Sequence, residues 1–215
     1  MNIADQVVVI HGEQELYART SHLFAAAHEE VSCAANSLYS WAVARGRVRA
    51  DGGYPSSMRI RKLYRPGMLL EPASVRHVQM VAARGAQVRI SFTELNETVL
   101  IDREIAILAG DASHGPRSFT VMRLPEVVQG VSSLFEAAWL ASGELDTYDR
   151  ELAELRPLAP RIVEALSSGC TDETAARGLG LSLRTYRRRV AELMDTLGAE
   201  SRFQAGVRAR ELRLI

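Results

Sequence analysis

Residues 171–204 read TDETAARGLGLSLRTYRRRVAELMDTLGAESRFQ, and the punctuation of this stretch decides how the chain is built. Thr171 stands before Asp172 and Glu173, an N-cap followed by carboxylates where the helix dipole favours them. That helix runs to Gly178, and Leu179-Gly180-Leu181 supplies a turn. Ser182 caps a helix of about fifteen residues that Gly198 closes, and Ser201 caps one more. Upstream, Pro160 opens a helix bearing Ile162, Val163 and Leu166 before Gly169, with proline entering and glycine leaving. The spacing predicts an all-α end of four short helices.

The faces of the helix after Ser182 differ in chemistry. Tyr186, Val190, Leu193 and Leu197 recur at helical spacing with Met194 alongside, which predicts a buried stripe. Arg184, Arg187, Arg188, Ala191 and Asp195 fall on the opposite face, with Arg189 on a flank. No acid lies four positions from Arg184 or Arg187. The cluster therefore repels itself unless an anion is present, and phosphate is the expected anion. A solvated basic face is the structural alternative. An α-helix fits the major groove of duplex DNA, where arginine reaches guanine in a bidentate contact.

From Leu158 to Arg210 the chain resembles the LuxR-type helix-turn-helix domain of bacterial regulators. The resemblance rests on Pro160-Arg161, Gly169, Ala176, the turn Leu179-Gly180-Leu181-Ser182, Arg184-Thr185, Leu197-Gly198, Ser201-Arg202 and Gln204-Ala205. It implies base contacts from Arg184, Arg187, Arg188 and Ala191, and phosphate contacts from Ser182, Thr185, Arg189, Ser201 and Arg202. Three positions depart from the family pattern. Ile162 and Thr174 stand where acids are usual, removing an internal ion pair or cap, and Ala191 replaces a longer polar side chain.

Composition is that of an ordinary soluble globular protein, with 47% hydrophobic and 24% charged residues. Formal charge is zero, yet residues 157–215 hold ten arginines against seven acids, a surplus of three that the remainder must offset. A locally basic segment joined to an acidic partner is the footprint of a DNA reader. No apolar run is long enough for a membrane span, and Met1–Gln6 lacks a secretory pattern, so the cytoplasm is expected. Cys33 and Cys170 lie outside any CxxC spacing; both are expected as reduced thiols, buried or half-buried.

Residues 1–142 read as an α/β domain, a mixed sheet with flanking helices. Val7 to Ile10 is a buried strand. Glu13 to about Arg45 carries Leu16, Leu23, Ala27, Val31, Ala34, Leu38 and Trp41 at spacings of three, four and seven, predicting a helix with a break near Glu29-Glu30. Gly46 and residues 51–55 are loops. Met58–Tyr64, Glu71–Ala83 and Ala86–Phe92 read as strand, helix and strand, a parallel crossover. Thr98–Ile101 and Glu104–Leu108 flank an Asp102-Arg103 turn, Ser118–Met122 is a last strand, and Pro125 opens a helix to about Ser142. Residues 143–156 form a linker helix whose Leu145, Leu152 and Leu155 suit either a connecting or a dimerising role. Residues 157–215 are the DNA-binding domain.

The first domain lacks the acidic pair and late lysine of a phosphoacceptor receiver, since Lys62 is the sole lysine. It loosely resembles the phospholipase-D-like fold of TrmB-type regulators. That family's catalytic His-x-Lys pattern is absent, so neither His77 nor His114 is expected to act in hydrolysis. His11, His22 and His28 read as surface or packing residues. No enzyme activity, metal or cofactor is expected. The reading is a regulator that binds double-stranded DNA as a homodimer, works with RNA polymerase, and answers to a small-molecule effector. A degenerate phosphodiesterase with a DNA-binding tail, and a polymerase-docking module like the promoter-binding region of sigma factors, stay open as alternatives.

Overall fold

The computed structural model describes residues 6–36, 57–110 and 116–215. Val7 to Ile10, extended by His11, forms β1 (Val7–His11), and Gly12, at a φ of 85°, turns the chain into α1 (Glu13–Ala26). The long helix expected from Glu13 stops there. Val31 and Ala34 lie instead on β2 (Glu30–Ala35), whose six residues are all buried. Alanine and other small residues satisfy helical spacing as readily as strand spacing, and a strand buried on both faces shows no alternation to betray it. Leu38, Trp41, Arg45, Gly46 and residues 51–55 lie outside the described residues, as does His114.

The expected crossover is present: β3 (Arg59–Tyr64), a short 3-10 turn (Pro66–Leu70), α2 (Pro72–Ala83) and β4 (Gln87–Ile90), with β3 and β4 parallel. β5 (Thr98–Ile101) and β6 (Ile105–Ala109) make the hairpin. Its turn places Asp102 and Arg103 at φ 49° and 56°. The Asp102 carboxylate accepts the backbone N–H groups of Glu29 and Glu30 at 2.8 Å and of His28 at 3.1 Å, fastening the entry of β2 to the hairpin. After β7 (Ser118–Met122) and α3 (Pro125–Leu140) comes an unexpected strand, β8 (Gly143–Glu144), paired to β4.

Among the described residues the sheet runs β1-β7-β6-β5-β2-β3-β4-β8, parallel at β2-β3-β4 and antiparallel elsewhere. α3 covers one face, packing Val128, Phe135 and Trp139 on Ala34, Leu63, Leu100 and Met122. There Arg61 is buried between Glu30 at 2.5 Å and Glu136 at 2.6 Å, with the rings of Phe135 and Trp139 beneath its guanidinium. The other face carries Cys33, Ile60, Tyr64, Ile90 and Ile107, and its apolar cluster continues without interruption into the C-terminal helices.

Those helices are α4 (Leu145–Glu151), α5 (Ala159–Ser167), α6 (Asp172–Leu179), α7 (Leu183–Leu197) and α8 (Arg202–Glu211). Leu145 and Leu155 are buried and Leu152 half-buried within the chain's own core, so these leucines connect rather than offer a free dimerising seam. The 3-10 turn is the joint: a β-carbon on Gly67 would come within 2.9 Å of the Leu212 side chain and 3.3 Å of that of Leu197, so a larger residue there would push those leucine methyls aside. Arg156 donates to the Leu69 carbonyl at 2.6 Å and ties the connection to the same turn.

Candidate nucleic-acid interface

Local chemistry sets α6, the turn and α7. Thr171 accepts the N–H of Thr174 at 3.3 Å, and its hydroxyl meets that of Thr174 at 3.1 Å, so threonine does the capping work where an acid was absent. Ile162, a second of the three departures, is fully buried. Gly180 takes a φ of 71° to end α6, and Ser182 accepts the N–H of Thr185 at 3.1 Å to start α7. The stripe Tyr186, Val190, Leu193 and Leu197 is buried as the spacing predicts, joined by Thr196. At 1.5 Å per residue the helix is about 22 Å long, enough to lie along a major groove.

The opposite face is open. Arg184, Arg187, Arg188, Ala191 and Asp195 are all exposed, with Arg187 and Arg188 side chains 58% and 62% accessible. Part of the repulsion among these arginines is relieved within the chain. Arg187 Nε donates to Asp172 at 2.9 Å, and Arg188 lies 3.7 Å from Glu192. Arg184 makes no ion pair among the described residues. Sequence spacing misses the Asp172 carboxylate because it reaches α7 from another helix.

Among residues expected to hold phosphate, Ser182, Ser201 and Arg202 are exposed and Thr185 is half-buried. Ser182 and Thr185 bond to each other, hydroxyl to hydroxyl, at 2.8 Å, and Ser201 caps α8 by accepting the Gln204 N–H at 3.1 Å. Arg202 grips Asp172 with two nitrogens at 2.8 and 3.1 Å. Arg189 stands apart: only 14% of its side chain is accessible, and it pairs with Glu154 at 2.5 Å and Glu192 at 2.7 Å. It points back onto the protein, and a phosphate role would require breaking both pairs. The bonds from Arg202 and Arg187 hold the Asp172 carboxyl below its usual range, while burial opposes them.

The described histidines differ in their surroundings. His77 is buried, His11, His22 and His28 are exposed, and His28 lies 3.0 Å from Asp102. Among the described residues no three metal-ligating side chains cluster. Cys33 is buried, and that burial raises its thiol's pKa; Cys170 is exposed, against expectation. No helix among the described residues is long and apolar enough to cross a membrane.

No protein-family model matches the chain. Over 173 residues, 76% of its length, it is 32% identical to the bialaphos biosynthetic pathway regulatory protein of Streptomyces hygroscopicus, and it spans 64% of that protein. Two solved structures share lower similarity. The archaeal chromatin protein TrmBL2 is 13% identical, with 67% of this chain and 56% of that one covered at a TM-score of 0.48. Nuc, a phospholipase D family member from Salmonella typhimurium, is 12% identical, with 64% and 97% covered at 0.49.

Proposed function

We propose that this protein is a DNA-binding transcriptional regulator of the LuxR type, inserting α7 into the major groove. The observation that carries the reading is the outward face of α7: Arg184, Arg187 and Arg188 exposed on a capped helix that follows a tight turn from α6. Arg187 and Arg188 read base edges, with Arg184 beside them; Ser182, Thr185, Ser201 and Arg202 hold phosphates at the flanks. The relative from Streptomyces hygroscopicus, named as a regulatory protein of a biosynthetic pathway, supports the regulatory role.

The regulator acts as a dimer, because one such module buries too little surface for tight specific binding. Phe203, 84% exposed, and Val207, one turn further along α8, offer an apolar contact for a second copy of the chain. The α/β part is non-catalytic in this reading and transmits a signal to α7 and to RNA polymerase. The test is to obtain the operator from a genome-wide binding profile of the tagged protein, then compare Arg187→Ala and Arg188→Ala by gel shift. Loss of preference for the operator over unrelated duplex, with the fold intact by circular dichroism, is the expected result; undiminished preference in both variants overturns the reading.

A further inference from the structure

At the carboxyl ends of the parallel strands the chain leaves a cavity of about 480 Å³, walled on one side by the sheet and on the other by α7 and α8. Ligands of open α/β sheets sit in that position, and volumes of about 300–1,000 Å³ suit small molecules. Asn36 follows β2, Arg65 follows β3, and Glu94 and Glu97 lie beyond β4; Arg208 closes the cavity from α8. Arg117 forms one wall, neutralised by Glu97 at 2.9 Å.

Arg65 is the unusual member. Its side chain is 17% accessible, it donates no hydrogen bond to any described residue, and its nearest carboxylate, Glu94, is 3.9 Å away. Burial lowers its pKa, the Glu94 charge opposes that, and the neighbouring Arg208 adds to it. A guanidinium has five N–H donors, and a half-buried one left without acceptors is poorly compensated. Arg208 bonds to Glu94 at 2.7 Å, so two guanidinium groups converge on one carboxylate. That carboxylate belongs to a loop side chain 72% exposed, and so is easily displaced.

We propose that this cavity binds a small molecule carrying a phosphate or carboxylate group, which takes the place of the Glu94 carboxylate between Arg65 and Arg208. The site is connected to α7. Arg208 donates to the carbonyls of Leu197 and Gly198, the end of that helix, and a β-carbon on Gly198 would lie 2.5 Å from Arg65 Nη2 and 2.6 Å from Arg208 Nη1. A bound anion that draws the two guanidinium groups together therefore repositions the helix terminus they cover. This coupling rests on the DNA-binding reading; the site itself does not.

Isothermal titration calorimetry on the full chain, with inorganic phosphate and citrate as probes at matched ionic strength, tests the site without DNA. Saturable binding of at least one probe is expected, weakened about tenfold or more by Arg65→Ala, the worth of one lost charge-assisted contact. Glu94→Gln removes the resident competitor from an exposed position and should tighten binding by roughly threefold, the scale of one exposed ion pair. Phosphate alone binding identifies a phosphorylated ligand, citrate alone a carboxylate, and both a general anion site. No saturable binding to wild type or to Glu94→Gln overturns the proposal, as does binding indifferent to Arg65→Ala. In gel shifts the probe should change operator affinity in wild type and not in Arg65→Ala. If the probe binds and operator affinity is unmoved, the coupling is overturned; if no DNA is bound at all, the regulator reading fails while the site stands.

Discussion

Asp172 Oδ2 accepts the Nε–H of Arg187 at 2.9 Å across the turn between α6 and α7, and the same carboxylate holds Arg202. Both cations lie on the face proposed for DNA, so the carboxylate orders them and at the same time opposes an incoming phosphate. Asp172→Asn removes the opposing charge. Binding to unrelated duplex should tighten several-fold, most strongly at low salt where charge is least screened. Fluorescence anisotropy of a labelled duplex across a salt series measures this, and an unchanged affinity would place Arg202 away from the DNA backbone.

Arg188 and Arg189 are neighbours in sequence with opposite roles. Arg188 is open to solvent beside a single distant carboxylate, whereas Arg189 is enclosed by Glu154 and Glu192 and ties α7 to the connection before α5. Arg188→Ala should leave stability within about 0.5 kcal/mol of wild type, as surface changes usually do. Arg189→Ala removes two ion pairs whose carboxylates are largely or partly exposed and should cost about 1 kcal/mol, read as a lower urea midpoint. Equal midpoints for the two variants would mean that the Arg189 pairs contribute nothing.

Three carboxyls are held below their ordinary range. Hydrogen bonds from Arg61 lower Glu136; those from Arg202 and Arg187 lower Asp172; and in Asp102 burial pulls upward, but the backbone N–H groups of Glu30, Glu29 and His28 prevail. A depressed carboxyl stabilises the folded state above its unfolded pKa, about 4, and that contribution is lost as pH falls through the lower folded value. Urea midpoints should therefore hold from about pH 7 to pH 5 and fall steeply toward about pH 3. Asp102→Asn should flatten that fall, since the variant has no proton to take up there. A slope identical to wild type would show that Asp102 titrates alike in both states.

The C-terminal helices were legible because their boundaries are local: Thr171, Ser182 and Ser201 each bond to a backbone N–H three residues on, and Gly180 and Gly198 close helices by their own left-handed conformation. The β5-β6 turn was legible for the same reason. β2 was not, because its character comes from β3 and β5 on either side rather than from its own residues. The partners of the site arginines escaped for a similar reason. Asp172 meets Arg202 across thirty positions and Glu154 meets Arg189 across thirty-five, distances over which no spacing rule operates. Arg65 and Arg208 likewise come together only in the folded chain.

Gly198 tests that meeting directly. It ends α7 at a φ of 66°, and a β-carbon there would collide with Arg65 and Arg208. Gly169 ends α5 at a φ of 70° with nothing within 4 Å of the same position. Gly169→Ala should thus cost only the backbone strain, about 1–2 kcal/mol, whereas Gly198→Ala adds displacement of two guanidinium groups and should cost measurably more. Combining Gly198→Ala with Arg65→Ala removes one of the colliding groups, so the double variant should be less destabilised than the sum of its parts by about 0.5 kcal/mol or more. Strict additivity in the urea midpoints would show that Arg65 moves aside at no cost, and that it does not bear on the end of α7.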